Sequence, residues 1–144
     1  MTNHIAILDV NVLIALFDSR HEHHQAAHRW LGSWSGQFAT CPLTASSFIR
    51  LISNPVVGGE TTITALKGLK EIQAHKRHQF IPDNTSLADP AIDLTNLVGY
   101  RQVTDFHLVS LAAHSGAKFA TFDGKLIKAL EIKDRAIIEL IPIA

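Results

Sequence analysis

The stretch "IAILDVNVLIAL", residues 5–16, decides how the chain folds. Ile5 to Leu8 form a continuous apolar run of strand length. A run without alternation fits a strand buried on both faces, as in a parallel sheet. Asp9 follows at the C-terminal end of that strand and is the only charge in the stretch. From Asn11 to Asp18 the period changes, and Val12, Leu13, Leu16 and Phe17 share one helical face. A carboxylate in core-like sequence is costly without a partner. Asp9 therefore directs attention to the chain's other acids.

The alternation of strand and helix continues outward. Residues 21–34 read as a helix, with Ala27, Trp30, Leu31 and Trp34 on one face. Residues 37–42 read as a strand, and 43–54 as a helix stopped by Pro55. A glycine-bearing loop at 56–60 leads to a helix over 61–75 and a strand over 78–83. Asp89-Pro90 supplies a cap and first-turn pair for a helix over 89–98. The clearest helix covers 103–116, with Gly116 as its terminator. A strand over 117–123, a short helix from Gly124 and a last strand over 136–141 complete the chain. The pattern predicts an α/β fold, a three-layer α/β/α sandwich around a mainly parallel sheet, in one domain spanning 1–144. Such sheets bind ligands at the carboxyl ends of their strands. Asp9 and Asp123 both fall there.

Composition sets limits on function. Thirteen basic residues balance thirteen acidic ones among 144, so no global charge draws the chain to nucleic acid or membrane. The single cysteine, Cys41, excludes an internal disulfide and a cysteine-based zinc site. It reads as buried packing. No apolar stretch reaches about 18 residues, and the N-terminus lacks signal-peptide character. A cytoplasmic protein without a membrane span is expected.

Asp105 joins Asp9 and Asp123 as a third candidate. It heads the 103–116 helix, and Leu108, Val109 and Ala112 follow on its face. Each of the three acids alone could be a helix cap or a dipole partner. As a set at one sheet edge they repel one another and call for a cation. Hard carboxylate oxygens suit Mg²⁺ or Mn²⁺.

"ILDVNVLIAL", "VTDFHLVSLAA" and "FATFDGKL" together resemble the motifs of PIN-domain ribonucleases, most closely the VapC-type toxins. "CPLTASSFIRLISNP" and "HEHHQAAHRWL" resemble segments of one branch of that family. The resemblance implies a PIN fold and metal-dependent endonucleolytic cleavage of RNA by an activated water. It also implies a homodimer and a VapB-like antitoxin, with tRNA or rRNA as the substrate class. Asp9, Asp105 and Asp123 match three of the family's acidic catalytic and metal-site positions. Asn11, Thr44, Ser46, Arg50 and Thr121 are the candidates for supporting or substrate-contacting roles. The family's additional acid falls where this chain has Ala45. That leaves open a catalytically weak or inactive module that binds RNA or protein. A haloacid-dehalogenase-type phosphatase is a further alternative for "LDVN", although Asn11 replaces its acid/base residue.

Other clusters have plainer readings beside functional ones. His21, His24 and His28 share a helix face, as zinc ligands or as a solvated helix start packed near Trp30. Asp18 caps that helix. Trp30 and Trp34 read as core or dimer contacts. Lys70, His75, Lys76, Arg77 and His78 form either a phosphate-binding patch or an ordinary polar helix end. Asp89 reads as a cap and Asp93 as a solvated position.

Overall fold

The computed structural model describes residues 4–144. Its sheet is built from β1 (Ile5–Leu8), β2 (Gln37–Thr40), β3 (His78–Phe80), β4 (Lys118–Thr121) and β5 (Ile138–Leu140). The strand order is β3-β2-β1-β4-β5, and every neighbouring pair is parallel. Helices α1 (Val10–Phe17), α2 (His24–Ser33), α3 (Pro42–Ile52), α4 (Thr62–Gln73), α5 (Val103–His114) and α6 (Gly124–Ala129) supply the crossovers. Short 3₁₀ turns stand at Tyr100–Gln102 and Ile132–Ile137.

Strand alternation divides the core into two faces. Ala6, Leu8, Phe38 and Ala120 pack against α1 to α4, through Leu13, Trp30, Phe48 and Leu69. Ile7, Ala39 and Phe119 pack against α5 and α6, through Phe106, Val109 and Leu126. The result is the expected α/β/α sandwich. Continuous apolar strands follow from this, because both sheet faces are covered. Gly68 allows α4 to approach α1: a Cβ there would lie 2.4 Å from Cε1 of Phe17.

The chain order places a topological switch between β1 and β4. From β1 it moves outward through β2 to β3, then returns to the far side of β1 for β4 and β5. Neighbouring crossovers leave in opposite directions there, which opens a crevice at the strand carboxyl ends.

Several segments differ from the sequence reading. Residues 89–98 form no helix; the stretch from β3 to Tyr100 is irregular, with one isolated bridge between Ser86 and Asp89. Short polar side chains take the backbone away from helix there. Asp83 accepts from the Thr85 amide, Ser86 from Ala88, and Asp93 from Thr95. Asp89 is therefore not a helix cap. Cys41 and Pro42 leave the strand and start α3, with Pro42 in the first turn.

The early histidines also separate. His21 precedes α2, while His24 and His28 lie against the carbonyls of Ala15 and Leu16 at the end of α1. His24 and His28 remain neighbours on α2, with ring centroids 4.5 Å apart, but with His21 outside the helix the three do not form a zinc-ligand set among the described residues. Asp18 bonds Arg20 rather than capping α2. Trp30 is buried, stacks on Trp34 at 5.4 Å and donates to Glu139. Arg77 is spent on the carbonyls of Leu31, Trp34 and Gly36 and closes the end of α2. Gly116 ends α5 with φ of 66°, the left-handed conformation that glycine adopts freely. No helix among the described residues is long and apolar enough to cross a membrane.

Candidate active site

The switch between β1 and β4 gathers the candidate acids. Asp9 stands one residue past β1, and its amide donates to Ala120 O at 2.9 Å, prolonging the β1–β4 pairing. It occupies the N-cap position of α1, yet its side chain makes no cap bond. Instead Oδ2 accepts from Thr121 Oγ1 at 2.8 Å. Thr121 Oγ1 also accepts from the Asp123 amide at 3.1 Å. One buried hydroxyl thus ties the ends of two neighbouring strands together. Burial raises the Asp9 carboxyl above its ordinary range; the Thr121 bond offsets part of this, and the charge of Asp123 adds to it.

Asp123 caps α6 through Oδ1, which accepts from the Lys125 amide at 2.9 Å. Asp105 comes from a different layer, in the first turn of α5. Among the described residues its carboxylate has no hydrogen bond and no ion pair. Burial, then the charges of Asp9 and Asp123, push its carboxyl up to about 6. Three acids far apart in sequence therefore share one electric field. Among the described residues, no three His, Cys, Asp or Glu side chains are gathered tightly enough to hold an ion by direct ligation alone. The three carboxylates are instead linked through charge, Asp105 feeling both Asp9 and Asp123. Such a set fits a cation such as Mg²⁺, which retains several waters between itself and the protein.

The supporting candidates divide. Asn11 is exposed and, with Thr121 and Asp123, lines a cleft of about 300 Å³ beside the acids. Thr44 is buried, and its hydroxyl is used on Cys41, whose amide it accepts at 3.1 Å. It closes the start of α3 and does not join the acids. Ser46 is exposed in the early turns of α3. Arg50 is exposed with no ion pair among the described residues, and it lies two turns along α3 from the strand end. Ala45 packs in the core with Leu13 and Phe48, so α3 presents no carboxylate at this position.

The other walls of the cleft come from residues that the sequence reading did not assign to it: His21, Glu22, His23 and Phe122. Phe122 was recoverable, since it stands between Thr121 and Asp123. The histidines were not, because the run 21–34 read as one helix and its first three residues are a turn.

A parallel sheet with carboxylates at its switch point defines an α/β protein of the kind whose ligands bind at the strand ends. Comparison with known proteins narrows this. The PIN-domain family profile matches residues 6–132. Ribonuclease VapC38 of Mycobacterium tuberculosis is 37% identical over 142 residues, covering 96% of this chain and 99% of its own. Ribonuclease VapC29 of the same species is 40% identical over 120 residues, covering 83% of this chain and 86% of its own. Similar solved folds include VapBC2 of Rickettsia felis bound to a promoter DNA fragment, with a TM-score of 0.66 at 14% identity, covering 96% of this chain and 99% of that one. VapC20 of Mycobacterium tuberculosis, a sarcin–ricin-loop-cleaving toxin, aligns with a TM-score of 0.61 at 17% identity, covering 87% and 94%. The chain belongs to the PIN-domain family, in its VapC ribonuclease branch.

Proposed function

We propose that the protein is a divalent-cation-dependent endoribonuclease, the toxin of a VapBC-type toxin–antitoxin pair. The observation that carries this reading is the placement of buried Asp9 and of Asp123 on one hydroxyl, that of Thr121, at the seam of β1 and β4, with Asp105 close enough from α5 to feel both charges. A fold that brings three acids together without a basic partner is arranged for a cation from solution. Asp9, Asp105 and Asp123 would hold Mg²⁺ or Mn²⁺, largely through waters. When bound, such an ion lowers the pKa of a water and offsets phosphate charge.

The protein's own groups position this chemistry. Thr121 fixes the Asp9 carboxylate by donating to Oδ2, and holds the backbone of Asp123 by accepting from its amide. The two strand ends are therefore joined through one hydroxyl. Asp105 approaches from α5 and is free to bond ordered water. Asn11 offers an exposed amide at the cleft wall, without a side-chain hydrogen bond among the described residues. No side-chain nucleophile is needed, and hydrolysis leaves a 5′-phosphate and a 3′-hydroxyl.

An acidic cleft also supports a partner with a basic tail, as a VapB-like antitoxin would provide. The active form is a homodimer, and the substrate is a loop of tRNA or rRNA. The absence of a carboxylate at Ala45 favours one second reading, a module that binds RNA without cutting it. Incubating labelled RNA with the wild-type protein and with Asp9→Asn, in Mg²⁺, Mn²⁺ or EDTA, separates the two. Cleavage by the wild type alone, and only with the ion, supports the nuclease. Binding without ion-dependent cleavage supports the module.

A further inference from the structure

The geometry points to a nucleobase subsite: the cleft beside Asp123 seats one unpaired base of the RNA, stacked on His23 and Phe122, next to the bond that is cut. This inference rests on the ribonuclease reading and adds a substrate contact to it.

Position is the first support. Thr121 and Asp123 belong both to the acid site and to the wall of this cleft. Whatever fills the cleft therefore lies within a side chain's length of the acids. Shape is the second. Three rings stand in file along it: His21 and His23 have centroids 5.7 Å apart, and His23 and Phe122 are 5.0 Å apart with planes at 47°. Each ring is half-buried, so each retains open surface. Local bonds hold the row in place. His21 Nδ1 accepts from the His23 amide at 3.0 Å, and His23 Nε2 lies 3.4 Å from the Glu22 carboxylate. Rings fixed before binding lose little freedom when a base stacks on them.

Charge is the third support, and it discriminates between parts of a nucleotide. No Lys or Arg lines the cleft, while Glu22 and Asp123 both do. Two carboxylates repel a phosphate, whereas a neutral heterocycle meets no such barrier. Asn11 adds an exposed amide that makes no side-chain hydrogen bond among the described residues, free to donate to and accept from a base edge. His21, Glu22, His23 and Asp123 could suggest a transition-metal site, but they are not gathered as one among the described residues. The cleft thus divides the nucleotide: phosphate at the acids, base on the rings.

The test uses an oligoribonucleotide that the wild-type protein cuts, with 2-aminopurine placed in turn at each position near the cleaved bond. It is bound to Asp9→Asn, so that binding is read without turnover. Stacking predicts quenched fluorescence at one position adjacent to the bond. Adding His23→Ala should weaken binding by roughly 5- to 150-fold and restore the fluorescence. His23→Tyr should recover both, and His23→Gln neither, because the ring and not the polar atom is the contact. Phe122→Leu, which keeps an apolar side chain in place, should weaken binding in the same direction. Absence of a quenched position, unchanged binding in His23→Ala with its thermal melt intact, or rescue by Gln and not Tyr would each overturn the subsite. A wild-type protein that cuts no RNA removes the ribonuclease reading, and the subsite with it. Cleavage that His23→Ala and Phe122→Leu leave unchanged removes the subsite alone.

Discussion

Two neighbourhoods of this molecule treat carboxylates in opposite ways. Behind β3, Asp83 accepts from the amide and hydroxyl of Thr85, at 2.9 and 2.6 Å, and pairs with His107. Burial pushes its carboxyl upward, but the Thr85 and His107 bonds win and hold it below the ordinary range. Asp134, also buried, accepts from the Asp93 amide at 2.8 Å. At the seam of β1 and β4, Asp9 has one side-chain partner, the Thr121 hydroxyl, and Asp105 has none among the described residues. Asp105 and His107 are two residues apart on one helix, so the contrast is not one of local sequence. The fold can satisfy an acid, and at the switch point it leaves Asp105 facing the charges of Asp9 and Asp123. Local frustration of this kind marks the places where stability has yielded to function.

The largest expected effect comes from breaking the frustrated set. Asp9→Asn and Asp123→Asn, made singly, should each lower RNA cleavage by at least about 10²- to 10³-fold, the scale seen when one group stabilising a transition state is removed. Single-turnover assays on labelled RNA at saturating Mg²⁺ measure this. Both variants should remain folded, since neither side chain anchors a large apolar contact. Equal cleavage by wild type and Asp9→Asn would end the assignment of these acids to the chemistry.

Asp105 gives the next effect, and its sign is opposite for stability. Its carboxyl rises from 3.8 to about 6 in the folded chain, so between those values the folded state binds more protons than the unfolded one. Stability from this group is full below about pH 4 and is lost as pH rises through 6. Asp105→Asn escapes the loss. Without divalent ions and above about pH 7, it should be more stable than wild type by on the order of 1 kcal/mol, since solvent screens a partly exposed carboxylate, read as a higher urea midpoint. Added Mg²⁺ should then stabilise the wild type more than the variant, because ion binding favours the ionised acids. A variant less stable than wild type under ion-free conditions would show that Asp105 is satisfied after all.

Much of this contrast was legible in the sequence, for identifiable reasons. "IAIL" and "KFAT" announce strands buried on both faces, and the acids beside them stand out against apolar neighbours. The three acids were visible because each breaks a core-like pattern. Segment 89–98 was misread because its turns depend on which polar side chain reaches which amide, and Asp-Pro serves a turn as well as a helix. Thr44 and Arg50 illustrate another limit. Motif position placed both near the site, but the hydroxyl of Thr44 closes its own helix and Arg50 lies further along α3. The His23–Phe122 contact joins residues about a hundred positions apart. No local pattern encodes such a contact; only the β1–β4 pairing brings it about.

The smallest effect tests the satisfied neighbourhood. Because the Asp83 carboxyl is held below its ordinary value, its contribution to stability is present above about pH 4 and is lost as pH falls through the folded-state value. Asp83→Asn should therefore cost about 1 kcal/mol near neutral pH, since an amide keeps part of the bonding to Thr85 and loses the charge facing His107. At low pH the difference from wild type should vanish. Cleavage should change only by a few-fold, as nothing places Asp83 in the field of the three acids. Urea midpoints for Asp83→Asn and Asp105→Asn, taken over one pH series, should thus depart from wild type in opposite directions as pH rises. If Asp83→Asn instead abolished cleavage, or gained stability at neutral pH, the division between satisfied and frustrated acids would fail. The His107 pair would then have to be counted with the chemistry rather than with the scaffold.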